Sequence, residues 1–176
     1  MNQQSVSRAW KNASEVIGKT IQTTLKGVQQ EVAARAYRAS NELRNASLYV
    51  LRGQRSGRRY KIPGTYRRQR DKATGKMRNG VYYTASAPGE PPAVRTGVFR
   101  LSWGTHVRVE KQGAHFRAIS AIESNVKAGP YLLGEILEEG TNHGDHANMK
   151  PRPYKQAIRN MAAPKIQALY KKPFKV

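Results

Sequence analysis

The sequence predicts an α+β fold: a long N-terminal helix, a small antiparallel β-sheet with a short helix, a C-terminal helix, and a basic extended arm. Three observations predict it. Apolar or small residues recur at steps of three and four from Val6 to Val50, the spacing of one helical face. Residues 105–110 (THVRVE) alternate, KQGA supplies a turn glycine, and 115–122 (HFRAISAI) reads as the partner strand of a hairpin. Beyond MKPRPY, Tyr154, Ala157, Ile158 and Met161 return to helical spacing behind two prolines.

Length and charge bound the rest. The 176 residues suit one domain with extensions, and an apolar content of 38% supports a modest core. A mean hydropathy of -0.73 leaves much of the chain to water or to polar partners. There is no cysteine, which excludes a disulfide framework and a thiolate zinc site. MNQQSVSRAW lacks the apolar stretch of a signal peptide, and no run reaches the length of a membrane span, so a soluble chain made in the cytoplasm is expected, with no membrane partner. Lys and Arg number 32 against 11 Asp and Glu, a net charge of +21. The excess is concentrated: residues 81–149 are near neutral, whereas 52–80 and 150–176 are strongly basic.

Residues 1–51 form the N-terminal helical segment. Unbroken, it is about 65–70 Å long at ~1.5 Å per residue, too long to lie wholly on a small domain. Gly18 and Gly27 each weaken it by roughly 1 kcal/mol relative to Ala, so a break at either, folding the helix back as a hairpin, competes with a helix that projects onto neighbouring subunits.

Residues 52–80, RGQRSGRRYKIPGTYRRQRDKATGKMRNG, form the basic arm. Eleven Lys and Arg stand against one Asp, a net +10. Such a segment buries too little apolar area to order alone. Arg52, Arg55, Arg58, Arg59, Lys61, Arg67, Arg68, Arg70, Lys72, Lys76 and Arg78 are candidate contacts to nucleic acid or to an acidic partner, with Tyr60 and Tyr66 available for stacking. The stretch 71–76 (DKATGK) suits a turn between two extended stretches, so the arm is a loop or a β-hairpin. A solvated loop, or one that binds acidic protein, is the competing reading.

Residues 81–165 form the α+β core domain. It opens on SAPGEPPAVRTGVFRLSW (86–103), a stiff ribbon in which Pro91 and Pro92 postpone regular structure to 93–96. Thr96 is the expected N-cap of a short helix, with Val98, Phe99, Leu101 and Trp103 turned to the core. After the hairpin, Gly129-Pro130 breaks the chain, and YLLGEILEEGT (131–141) is a further strand or a helical turn stopped by Gly140. In the C-terminal helix Pro164 predicts a kink or a new segment. Residues 166–176 form a basic tail, flexible or ordered only on a partner.

The chain offers little for chemistry. His143, Asp145 and His146 lie close together in TNHGDHAN, an arrangement a metal-dependent nuclease can use. They sit in loop sequence, without the helical spacing that aligns two histidines on one ion, and a polar loop is the preferred reading. His106 and His115 flank the hairpin turn and are placed to face each other across it. Ser86 and Ser102 lack a nucleophile-elbow context, and there is no phosphate-binding glycine loop. A non-enzymatic protein without metal or cofactor is expected.

Three stretches together carry a resemblance: 86–103 with its proline-rich entry and Thr-Gly, ILEEGT (136–141), and MKPRPYKQAI (149–158). Their order and spacing, over residues 84–165, resemble the small head–tail joining proteins of tailed bacteriophages, the neck and tail-completion proteins. Arg95 stands where that family commonly has an acid, Glu139 where it often has an aromatic, and the arm is longer and more basic. The resemblance implies a virion structural protein, made in the host cytoplasm, forming a ring at the head–tail junction. It implies a ring order that is a multiple of six, portal or adaptor and tail-tube or terminator proteins as partners, and non-specific contact with genomic DNA in the channel. On this reading Pro88, Pro91, Pro92, Arg95, Thr96, Val98, Phe99 and Trp103 form a preordered strap at the subunit interface. The alternative is a basic non-enzymatic nucleic-acid-binding protein that dimerises through its N-terminal helix.

Overall fold

A computed structural model describes residues 3–53, 55–62, 73–75, 81–113, 115–141 and 149–174. The chain is α+β, as predicted. Helix α1 (Gln3–Val50) runs without interruption for 48 residues, and the expected break at Gly18 or Gly27 does not occur. Two isolated glycines cost about 1 kcal/mol each, less than breaking the backbone ladder of a long cooperative helix. The hydroxyls of Thr20 and Thr23 donate back to the carbonyls of Val16 and Lys19, which keeps them from competing for the helix's own amides.

The base of the arm is a two-stranded ribbon. Strand β1 (Arg59–Lys61) pairs antiparallel with β2 (Tyr82–Thr84), placing Tyr60 opposite Tyr83. Residues 73–75 form a turn with Gly75 at φ 64.

Helix α2 (Val98–Leu101) is a single turn, and its cap differs from the expected one. Gly97, at φ 83, occupies the N-cap position, while the Thr96 hydroxyl accepts the Val98 N–H only at 3.4 Å. The positive φ needs glycine, and it swings Thr96 out of capping geometry. The turn is also rotated relative to expectation. Phe99 and Trp103 point inward, whereas Val98 and Leu101 are 57% and 64% exposed.

Strands β3 (Gly104–Gln112) and β4 (His115–Glu123) form the predicted hairpin, closed by two residues with Gly113 at φ 60. His106 pairs with Ala121 and His115 with Gln112, so the two histidines do not face each other. The inward face of β4 includes Phe116, Ala118, Ser120 and Ile122, and the Ser120 hydroxyl donates to the Ala36 carbonyl of α1 at 2.8 Å. Strands β5 (Lys127–Ala128) and β6 (Tyr131–Leu132) make a third short antiparallel ladder, so among the described residues the small antiparallel sheet structure consists of three two-stranded pieces. Both readings of YLLGEILEEGT hold in part: after β6 the chain enters helix α3 (Leu133–Glu139), stopped at Gly140.

Helix α4 (Lys155–Lys171) passes through Pro164 as one element, so residues 166–171 belong to it rather than to a tail. Ile158 and Ala162 before the proline and Ile166 after it all pack toward α1, which holds both halves in register despite the lost amide. The remaining tail is not free either. Arg35, with only 2% of its side chain exposed, donates Nη1 to the Lys172 carbonyl and Nη2 to the Pro173 carbonyl, both at 2.7 Å. Its Nε meets Glu31 at 2.9 Å, and the ring of Phe174 lies 4.0 Å from the guanidinium carbon. Helices α1 and α4 thus run antiparallel, from the pair Val50 and Tyr154 at one end to Arg35 and Lys172 at the other. The core lies between them: Ala46, Val50, Leu51, Tyr154, Ile158 and Ala162.

Candidate functional site

The proline strap is held to the rest of the fold by a series of hydrogen bonds. Arg55, at the foot of the arm, donates to the Val50 carbonyl at 2.9 Å and to the Pro92 carbonyl at 3.1 and 3.2 Å. It therefore closes the C-terminus of α1 and grips the strap together. Burial lowers its pKa from the ordinary guanidinium value, and Glu90 opposes that shift. Glu90 closes the strap on itself and on the arm, accepting the Ser56 hydroxyl at 2.6 Å, the Ser56 amide at 3.1 Å and the Ala87 amide at 2.8 Å. These three donors hold its carboxyl well below the usual range, at about 2. Ser86 accepts the Ala93 amide at 3.2 Å and is itself held by Arg152. Arg100 donates to the Leu48 carbonyl at 3.1 Å.

Three aromatic rings fix the strap's far end. Phe99, Trp103 and Tyr154 meet edge to face, with centroids 5.5, 5.7 and 5.9 Å apart. The Tyr154 hydroxyl donates to the Gly134 carbonyl at 3.1 Å, and burial raises its pKa to about 12, reinforced by Glu138 and Glu135. Glu138 accepts the amides of Tyr154 and Lys155 at 2.9 and 3.2 Å, capping the start of α4 from α3. The sequence offers Glu138 only as one of three acids, with Glu135 and Glu139, near the His143–His146 loop, and gives no role to Gly134. The ILEEGT stretch was the signal, but only the fold brings it under Tyr154.

The predicted interface set therefore divides. Pro92 is buried, and Phe99 and Trp103 face the core. Pro88, Arg95, Thr96 and Val98 remain exposed, and Pro91 is half-buried. Behind the exposed edge lies an apolar cavity of about 500 Å³, whose walls include Leu51, Val94, Val98, Val126, Leu133 and Leu137.

The arm divides as well. Arg55 is engaged inside the fold rather than offered to a partner. Arg58 lies 5.6 Å from the centroid of Tyr60, and Arg59 lies 4.7 Å from that of Tyr82, on an exposed ribbon whose Tyr60 and Tyr83 rings stack at 5.9 Å. Arg52 is exposed in the turn that follows α1, and Lys61 continues the ribbon. Arg67, Arg68, Arg70, Lys72, Lys76 and Arg78 lie outside the described residues, as do His143, Asp145 and His146. Among the described residues no group of three acids and histidines is placed to hold a metal ion. His106 instead meets Glu123 at 2.8 Å on the outer face of the hairpin.

The last feature is the far end of α1. Trp10, Ile17 and Ile21 are 74%, 59% and 53% exposed. At about 100° per residue they share the azimuth of Arg35, Ala39 and Ala46, which pack on the hairpin and α4. One helical face is thus covered at its C-terminal half and bare at its N-terminal half. Among the described residues no helix is long and apolar enough to cross a membrane. No protein-family model, curated protein or solved structure matches the chain.

Proposed function

We propose that this chain is a non-enzymatic structural subunit of the head–tail junction of a tailed bacteriophage, forming a ring of sixfold or multiple order that joins portal-side to tail-side proteins around the DNA channel. The observation that carries the reading is the bare apolar face of α1, which leaves the domain with Trp10, Ile17 and Ile21 in water. A stripe of that kind is an assembly element rather than a catalytic one. The strap supports it further: its Ser86, Ala87 and Pro92 carbonyls and its Glu90 carboxylate are satisfied within the chain, so less conformational entropy remains to be lost when its outer edge meets a neighbour. Depleting this protein from an infected culture and imaging the lysate by electron microscopy tests the role. Filled heads accumulating apart from finished tails is the expected result; normally tailed particles would remove it.

A second reading has its own support. The Arg58–Tyr60 and Arg59–Tyr82 pairs on the arm ribbon join phosphate-pairing cations to stacking rings, which suits a nucleic-acid-binding protein dimerised through α1. Oligomeric state separates the two: a ring favours the junction, and a dimer with tight, salt-sensitive nucleic-acid affinity favours the alternative.

A further inference from the structure

We infer that the bare N-terminal stripe of α1 seats in the apolar cavity behind the strap of the next copy, so that subunits join head to tail. This rests on the ring assembly proposed above and names its contact. The stripe and the cavity are both apolar and both open, yet they lie at opposite ends of one uninterrupted helix. Ile17 and the cavity wall at Leu51 are separated by roughly 50 Å along the axis at ~1.5 Å per residue, so no chain fills its own cavity with its own stripe. A contact between two different patches is heterologous, and a heterologous contact that closes makes a ring.

Area and charge point the same way. The exposed parts of Trp10, Ile17 and Ile21 amount to on the order of 400 Å², short of the ~800 Å² per partner of a standard interface. Stripe-to-stripe pairing alone is therefore thin. Each subunit of a ring uses both its stripe and its cavity, which doubles the surface engaged. The N-terminal part of α1 carries Arg8, Lys11, Lys19 and Lys26 against Glu15. Helix α3, whose Leu133 and Leu137 line the cavity, carries exposed Glu135 and Glu139 and no base. Of the three cations that line the cavity, Arg100 and Arg152 are already held by Leu48 and Ser86, and Arg95 is exposed at the mouth, within the same lining as the acidic helix α3.

Two variants of the full chain test this, each altered only at exposed side chains: Ile17→Asp with Ile21→Asp on the stripe, and Val98→Asp at the cavity mouth. Circular dichroism first establishes that both keep the parent's fold. Sedimentation should then show a ring for the parent and a monomer for each variant alone. Mixed in equal amounts, the variants should form a 1:1 heterodimer and no ring, because one intact stripe meets one intact cavity and the chain of contacts ends there. Self-association of V98D at the parent's strength would overturn the proposal in favour of stripe-to-stripe pairing. A parent monomeric at every concentration would overturn it in favour of a different protein as occupant. Either result leaves the junction role to be decided by the depletion experiment, so the two readings fail separately.

Discussion

The Glu90 carboxylate accepts both the hydroxyl and the backbone amide of Ser56, at 2.6 and 3.1 Å, from a residue 34 positions earlier in the chain. This clasp joins the foot of the basic arm to the proline strap, so the two segments read as separate in sequence share one anchor.

The clasp is pH-dependent in a definite direction. Its donors hold Glu90 at about 2, below its ordinary 4.5, so the folded state binds the proton less readily than the unfolded chain. The stabilisation is full above about 4.5 and is lost as pH falls through about 2. Thermal melts of the parent and of Glu90→Gln should differ most near neutrality and converge as pH approaches 2. A gap that persists unchanged at low pH would show that the charge contributes nothing.

Gly134 admits no side chain. A Cβ there stands 2.7 Å from the Tyr154 hydroxyl and 3.5 Å from the Phe99 ring. Gly134→Ala should push Tyr154 off the Gly134 carbonyl and loosen the three-ring cluster, at a cost of about 1–3 kcal/mol in urea unfolding. Tyr154→Phe removes only the hydrogen bond and should cost about 0.5–1.5 kcal/mol.

Arg35 holds the C-terminal segment through two carbonyls at once. Arg35→Ala should release it, with a loss of roughly 1.5–3 kcal/mol per charged hydrogen bond as an upper scale. Trypsin cleavage after Lys171 should accelerate, Lys172 being protected by the proline that follows it. Arg35→Lys should rescue little, because an ammonium lacks the fork that reaches both oxygens and the flat face that lies on Phe174. Unchanged cleavage would mean that α4 alone orders the segment.

The arm ribbon gives a salt signature. If it meets nucleic acid, replacing Arg58 and Arg59 by Gln should lower the slope of log K against log salt by roughly 1.4 for single strands and roughly 1.8 for duplex DNA. Tyr60→Ala and Tyr82→Ala should weaken single-strand binding by about 1–3 kcal/mol each while leaving that slope in place. Binding unaffected by either pair would take nucleic acid out of the reading of this arm.

The strap's prolines carry a revised expectation. A strap preordered by Pro91 and Pro92 implies that glycine at both harms assembly more than folding. With Pro92 buried and its carbonyl held by Arg55, the double change should also destabilise the monomer, by about 0.4–1 kcal/mol per site through the unfolded chain alone. Equilibrium unfolding of the monomer measures this directly.

Periodicity and turn chemistry are local, and they were legible. The 3.6-residue stripe of α1, the alternation around Gly113 and the stripe Tyr154–Ile158–Met161 each fix an element without reference to the rest of the chain. Charge placement was legible for the same reason, since the excess of Lys and Arg over residues 52–80 is a property of the chain alone. The tertiary structure decided what required two distant segments to meet. Whether Gly18 breaks α1 depends on a cooperative balance over 48 residues. Whether Val98 or Phe99 faces inward depends on the φ of Gly97 and on Tyr154 waiting beneath. Arg55 looked like one more arm cation until the Val50 and Pro92 carbonyls converged on it, and residues 172–174 looked free until Arg35 was placed beside them. In each case the deciding partner lies dozens of residues away, where spacing carries no information and only packing does.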